Sequence, residues 1–278
     1  MTIRTCAWLL RRSVMGAFDD NCFAVAKGAA YSALLSFFPV LASTAAILVQ
    51  TRSQVVSKTL QDLLSEIVPP GTEGLVAQQF RISGTRPVSL LIAAGLISLW
   101  AASGVIKSLI EGFQAAYRVP RNRNFLHNNV MAISLVVLVA VPLLGASLLI
   151  LFGGQVEQFL FHNAESVELH TAWRIVSRVA RYAVAFASTA LVTSLLYYFG
   201  PYRKQRWSGV WRGAVLASAG WLLATSGFGW YVSNIAHYNV MYGSVGAGIA
   251  LLVWMYLMAI IALIGCEFNA EYERAGWN

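Results

Sequence analysis

The sequence predicts an all-α polytopic membrane protein, with six transmembrane helices and amphipathic helices lying at the membrane interface. Three observations predict it. Of 278 residues, 58% are apolar and only 12% charged, about half the charged share of an ordinary soluble domain, and a fold in water cannot hide that much apolar surface. Several runs free of Asp, Glu, Lys and Arg are long enough for the hydrocarbon core, which takes about 20 helical residues to cross. Stretches such as Leu90 to Trp100 and Gly248 to Gly265 show none of the strict alternation that a transmembrane β-strand needs.

Residues 1–20 place Ile3, Ala7, Leu10, Val14 and Phe18 on one helical face and Arg4, Arg11 and Arg12 elsewhere, the pattern of an interfacial amphipathic helix. Arg11, Arg12, Asp19 and Asp20 interrupt any early apolar core, so no cleavable signal is expected. The charge-free run Gly28 to Thr51 supplies a first span over 28–51. An outer connection over 52–86 carries a second apolar stripe, Val56, Leu60, Leu63, Leu64 and Ile67, ending at Pro69-Pro70-Gly71. The runs Pro87 to Ile106, Asn124 to Val156 and Ala183 to Tyr202 give spans over 87–111, 129–153 and 181–201, with a weaker amphipathic stretch around Val156 to Leu169.

The charge-free run from Gly213 to Cys266 holds 54 residues. As one helix it would be a rod of roughly 80 Å, so it must fold back. Asn234, His237, Tyr238, Asn239, Tyr242 and Gly243 mark the hairpin, dividing it into spans over 209–233 and 244–267. Pro39 and Pro142 fall inside spans, where a membrane helix bends without ending. Gly209, Gly213 and Ala217, with Gly243, Gly246 and Gly248, allow close helix contact. No linker divides the chain, so 1–278 reads as one membrane domain.

Twenty basic and twelve acidic residues leave a net charge of +8. With the N-terminus inside, the inner segments hold 12 of the Lys and Arg residues in 69 positions, and the outer segments 7 in 75. That bias expects both termini in the cytoplasm. Cys6, Cys22 and Cys266 then lie at the reducing side, and their spacing suits neither a disulfide framework nor a zinc site.

Ionisable groups at membrane depth are costly and mark candidate sites. Lys107, Glu111 and Arg118 share nearly one helical face at about 100° per residue, either lining an inward-facing cavity or forming a snorkelling local ion pair. Glu267, with Glu271 and Arg274, makes a similar stripe, within reach of Lys27, Lys107 or Arg212. Arg174, Arg178 and Arg181 recur at helical spacing where the fourth span enters. They suit bidentate recognition of a lipid phosphate, or neutralisation by Glu157, Glu165 and Glu168. The tryptophans suit the membrane interface or packing.

His127, His162, His170 and His237 lack metal-ligand spacing, and no phosphate loop, nucleophile elbow or two-metal carboxylate cluster is present. Neither a catalytic residue nor a cofactor is expected, and scattered basic residues disfavour nucleic acid.

Several local patterns together resemble the YihY/BrkB family. They are Ala29-Ala30-Tyr31 with Leu34 to Pro39, Trp100 with Gly104, Glu111-Gly112-Phe113 and Ala116-Tyr117, Tyr198-Phe199-Gly200-Pro201, and Trp207 through Gly213. Tyr238, Met241 to Ser244, Leu251 to Tyr256 and Gly265 to Asn269 complete the likeness, which runs from about residue 18 to 272. Tyr31, Pro39, Trp100, Tyr242, Gly243 and Trp254 are its structural markers. Cys266 stands where the pattern would place a small residue such as alanine.

The resemblance implies a six-helix bacterial inner-membrane protein. It brings an old ribonuclease label, which the missing metal ligands argue against, a virulence label, and a connection of members with envelope lipid export. It carries over no catalytic residue. The expected function is translocation of lipid or another anionic amphiphile through a cavity between the second, fourth and sixth spans. Lys107, Glu111, Arg118 and Glu267 would bind or gate, and the arginine row would receive the headgroup. The alternative is a membrane scaffold for envelope machinery, working through the outer connection and the N-terminal helix. A membrane nuclease is the least supported reading. Expected partners are membrane lipids, with a second copy of the chain or an envelope protein.

Overall fold

The structure, a computed structural model, describes residues 3–51, 88–120, 125–161, 167–203, 205–234 and 244–276. The outer connection at 52–86 and the markers Tyr242 and Gly243 lie outside the described residues, as do the side chains of Arg174, Arg178 and Arg181. All described secondary structure is helical: α1 (Ile3–Asp19), α2 (Cys22–Thr51), α3 (Val88–Ala116), α4 (Phe125–Phe161), α5 (Val167–Phe199), α6 (Trp207–Asn234) and α7 (Ser244–Arg274). Helices α2 to α7 have 28 to 37 residues, or about 40–55 Å at 1.5 Å per residue.

The helices outrun the charge-free segments because a charge ends a membrane span without ending a helix. Helix α3 continues through Lys107 and Glu111 to Ala116, α5 includes the backbone of the arginine row, and α7 continues through Glu267 to Arg274. Pro39 and Pro142 lie inside unbroken helices, as their position in apolar spans requires.

Among the described residues, five stretches are long and apolar enough to cross a membrane: Cys22–Leu41, Gly95–Ala116, Leu126–Leu143, Tyr182–Phe199 and Gly246–Arg274. Helix α6 is not among them. It is long, but Arg212, Ser218, Thr225, Ser226 and Asn234 lower its apolarity.

Each helix from α2 to α7 packs on the next, and α7 returns to α2 and closes the row into a ring, while also packing on α3 and α1. The surface is correspondingly apolar. Tyr31 is 60% exposed and Trp100 72% exposed, and Leu35, Phe38, Ile92, Leu96, Val137, Val141, Leu222 and Leu223 also face outward. Such a surface requires acyl chains as its solvent.

Helix α1 has three sides, not two. Leu9, Ser13 and Ala17 are buried against the bundle, where Leu9 packs with Phe268 and Tyr272. At ~100° per residue, this side lies roughly 100° from the apolar face expected over Ile3 to Phe18. Leu10 and Phe18 of that face stay exposed, where lipid would cover them. The third side carries Arg4, Arg11 and Arg12. Small residues let α1 sit close, and apolarity alone does not reveal that Ser13 and Gly16 face protein.

The turns 20–21, 117–120, 200–203 and 205–206 gather at one end of the bundle, with α1 and the end of α7. Asn21, Arg118 and Tyr202 each adopt a left-handed backbone, with φ of 54°, 54° and 57°. This end is where buried polar groups concentrate.

Candidate functional site

The last three turns of α7 read Gly265-Cys266-Glu267-Phe268-Asn269-Ala270-Glu271-Tyr272-Glu273-Arg274. A helix distributes these residues around its whole circumference, and each polar one addresses a different neighbour. Asn269 faces α6, accepting from the Gly213 N–H at 2.7 Å and donating to the Val210 carbonyl at 2.9 Å. Glu271 accepts from Arg12 of α1, with Nε to Oε2 at 2.9 Å, and from Arg274 one turn on. Arg274 also donates to the Ala116 carbonyl at the end of α3. Glu273 pairs with Arg203 in the turn after α5.

The contact beneath Asn269 is backbone on backbone. Gly213 of α6 and Gly265 of α7 pack so closely that a Cβ on Gly265 would lie 2.8 Å from the Gly213 carbonyl oxygen and 2.5 Å from Tyr197 Oη. Tyr197, wholly buried, donates to the Ala262 carbonyl at 2.5 Å and meets Phe113 edge-on, ring centres 5.2 Å apart. Higher up, Trp221 donates to the Met258 carbonyl at 2.8 Å and Trp254 to Thr225 Oγ1 at 3.3 Å. The α6–α7 pair is therefore stitched along its length by single hydrogen bonds between close-packed helices.

Beside this hub opens a cavity of about 630 Å³, lined by His127 and Met131 of α4, Tyr198 and Phe199 of α5, and Tyr202, Arg203 and Gln205 of the following turn. Its walls are aromatic and its polar groups cationic or neutral. The Arg203 guanidinium also lies over the Tyr117 ring, 4.7 Å from its centre, and Gln205 is anchored by donating to the Tyr197 carbonyl at 2.9 Å. Burial, foremost, pushes the Tyr117 phenol well above its ordinary range, so that ring stays neutral beneath the guanidinium.

The candidate residues from the sequence are dispersed around this end. Lys107 Nζ donates to Asn129 Oδ1 at 2.8 Å, joining α3 to α4. Glu111 and Arg118 are exposed. Glu267 is fully buried, on the side of α7 that faces α1 and the start of α2. None of the four lines the cavity just described. Of the partners expected for Glu267, none is an ion-pair partner. Its Oε1 instead accepts weakly from the Cys22 thiol at 3.9 Å. Among the described residues no group of three or more His, Cys, Asp or Glu is placed to hold a metal ion.

Sequence reasoning missed Asn269, Tyr197, Arg203 and Gln205. An asparagine about one and a half turns from the end of an apolar helix was the available signal, since a buried amide needs a partner. Arg203 looked like one more cation in a basic connection.

Removing Arg12 alone is expected to cost less than about 1 kcal/mol, because its side chain is half exposed. Replacing Glu271, which is buried and bridges two arginines, should cost about 3 kcal/mol or more. The thermal midpoints of the two purified variants compare them directly.

The Virulence factor BrkB family model matches residues 14–276. The ribonuclease-like protein YfkH of Bacillus subtilis (strain 168) is 31% identical over 251 residues, covering 88% of each chain. A UPF0761 membrane protein of Alkalilimnicola ehrlichii is 27% identical over 263 residues, 92% of this chain and 57% of its own length. One from Alteromonas mediterranea is 26% identical over 272 residues, 95% of this chain and 89% of its own. Several of these relatives are longer proteins, of which the chain spans little more than half. No solved structure matches. With its helical bundle, apolar outer surface and near-complete match, the chain is an integral membrane protein and belongs to the Virulence factor BrkB family.

Proposed function

We propose that this protein translocates an anionic amphiphile, a lipid foremost, across the bacterial inner membrane, with both termini in the cytoplasm. The observation that carries this reading is the cavity beside Arg203. It combines a guanidinium and an imidazole with three aromatic rings, at the bundle end that the basic connections would place among inner headgroups. Guanidinium suits phosphate oxygens, and aromatic walls suit the start of an acyl chain. The pairing of Arg203 with Glu273 gives the guanidinium a resting partner, which an incoming phosphate would replace.

Lys107 belongs to the same proposal through its bond to Asn129, because α4 also forms one wall of the cavity. The arginine row of α5 would meet the headgroup on the opposite side. Arg203→Ala should slow the passage of a fluorescent anionic phospholipid in reconstituted vesicles by roughly 10- to 150-fold, for a lost charge-assisted contact of about 1.5–3 kcal/mol, and His127→Ala by about tenfold or less. Both variants should still purify as folded protein. Wild-type vesicles that move lipid no faster than protein-free ones would end the translocator reading and leave the scaffold.

A further inference from the structure

We propose that the groove between α1 and α6 is a binding site for an anionic phospholipid, whose phosphate is held by Arg212. Helices α1 and α6 both pack on α7 but scarcely on each other, so α7 forms a floor between two walls. Glu271 and Phe268 face α1 and Asn269 faces α6. At ~100° per residue, Tyr272 lies between those two sides of α7, on the floor of the groove. Leu9 of α1 and Leu216 of α6 pack on Phe268 and Tyr272 from either wall.

The Arg212 guanidinium stands over the Tyr272 ring, 4.2 Å from its centre, and 5.7 Å from the centre of the Trp211 ring. Stacking occupies the face of a guanidinium and leaves its edge, where the N–H groups point, for a paired contact with two phosphate oxygens. Arg12, Arg203 and Arg274 each pair with a carboxylate. Among the described residues no carboxylate pairs with Arg212, which is half-buried and so only partly compensated by water. A cation held in this way calls for an anion.

The groove below the cation is apolar. Helix α6 begins at this end of the bundle, so its later residues lie deeper. Leu216 and Leu223 fall within roughly 40° of Arg212 around the helix, and Leu223 is 76% exposed. A guanidinium at the rim with an apolar strip running about 16 Å inward matches a phosphate with an acyl chain beneath it, whereas a free phosphate would use the rim alone. The bound lipid would join α1 to α6, which otherwise meet through α7. None of these residues lines the cavity beside Arg203, and the inference is independent of lipid movement.

The test uses the full chain purified in detergent, both as wild type and in an Arg203→Ala background that removes the guanidinium of the cavity. Native mass spectrometry should show phosphatidylglycerol bound about tenfold or more weakly by Arg212→Gln in either background, for a lost charge-assisted contact. Arg11→Gln removes the same charge from an exposed position of α1 and should bind as before. Arg212→Lys, which keeps the charge but neither the stack nor the fork, should lie between, and serves if the glutamine variant does not fold. In the Arg203→Ala background, phosphatidylglycerol should raise the thermal midpoint only where Arg212 is present, while phosphatidylcholine and inorganic phosphate should not distinguish the two proteins. A phosphatidylglycerol with a diazirine in its acyl chain should label α1 and α6. Equal loss of binding in Arg11→Gln, a midpoint raised as much by inorganic phosphate, or label spread evenly around the bundle would each overturn the proposal.

Discussion

Replacing Gly213 by alanine is expected to prevent α6 and α7 from assembling. The new methyl would overlap the Gly265 carbonyl oxygen and stand 2.6 Å from Cγ and Nδ2 of Asn269. A flexible side-chain tip could move aside, but a helix backbone cannot. The two helices would have to separate, and separation stretches the Asn269 bonds and the Tyr197 bond to Ala262. Overpacking of this kind costs typically 1–3 kcal/mol and occasionally more, and each weakened buried hydrogen bond about 1 kcal/mol. The sum is several kcal/mol against a total stability of order 5–15 kcal/mol. Size-exclusion profiles of detergent extracts should show aggregate in place of the wild-type peak. Gly95→Ala, where a Cβ meets nothing within 4 Å, should leave the profile unchanged. A monodisperse Gly213→Ala protein would mean the helices are not in this contact.

Asn269→Leu should destabilise without necessarily unfolding. It removes one donor and one acceptor from the α6 backbone in a buried setting, worth about 2–4 kcal/mol together. That corresponds to a fall of roughly 5–15 °C in thermal midpoint. Asn269→Asp is the sharper experiment. It keeps the shape and the acceptor for Gly213 but turns the donor toward Val210 into a second oxygen, so carboxylate would oppose carbonyl. The aspartate variant should therefore be less stable than the leucine one despite being closer in shape. The reverse order would show that volume, not hydrogen bonding, matters at this position.

Much of the architecture was legible because the bilayer imposes one solvent on long stretches of chain. The runs around Pro39 and Pro142 became helices for reasons visible in composition alone. The site was less legible because polar pairing depends on which helix stands beside which. Glu267 was identifiable as an ion in a costly place, yet its environment is a turn more than two hundred residues away and a glycine of α1. Arg203 needed Glu273 and Tyr117 beside it before it differed from any other loop arginine. Helix α6 shows the opposite limit: the charge-free run from Gly213 suggested a span, and Arg212, Ser218, Thr225 and Ser226 lower its apolarity, although Leu222 and Leu223 still face outward.

Helix α7 follows every other described helix in the chain, yet its final turns carry the bonds to α1, α3, α6 and the turn after α5. During synthesis the earlier rods enter the bilayer with those partners missing, so the ring is fastened late, by the arrival of one segment.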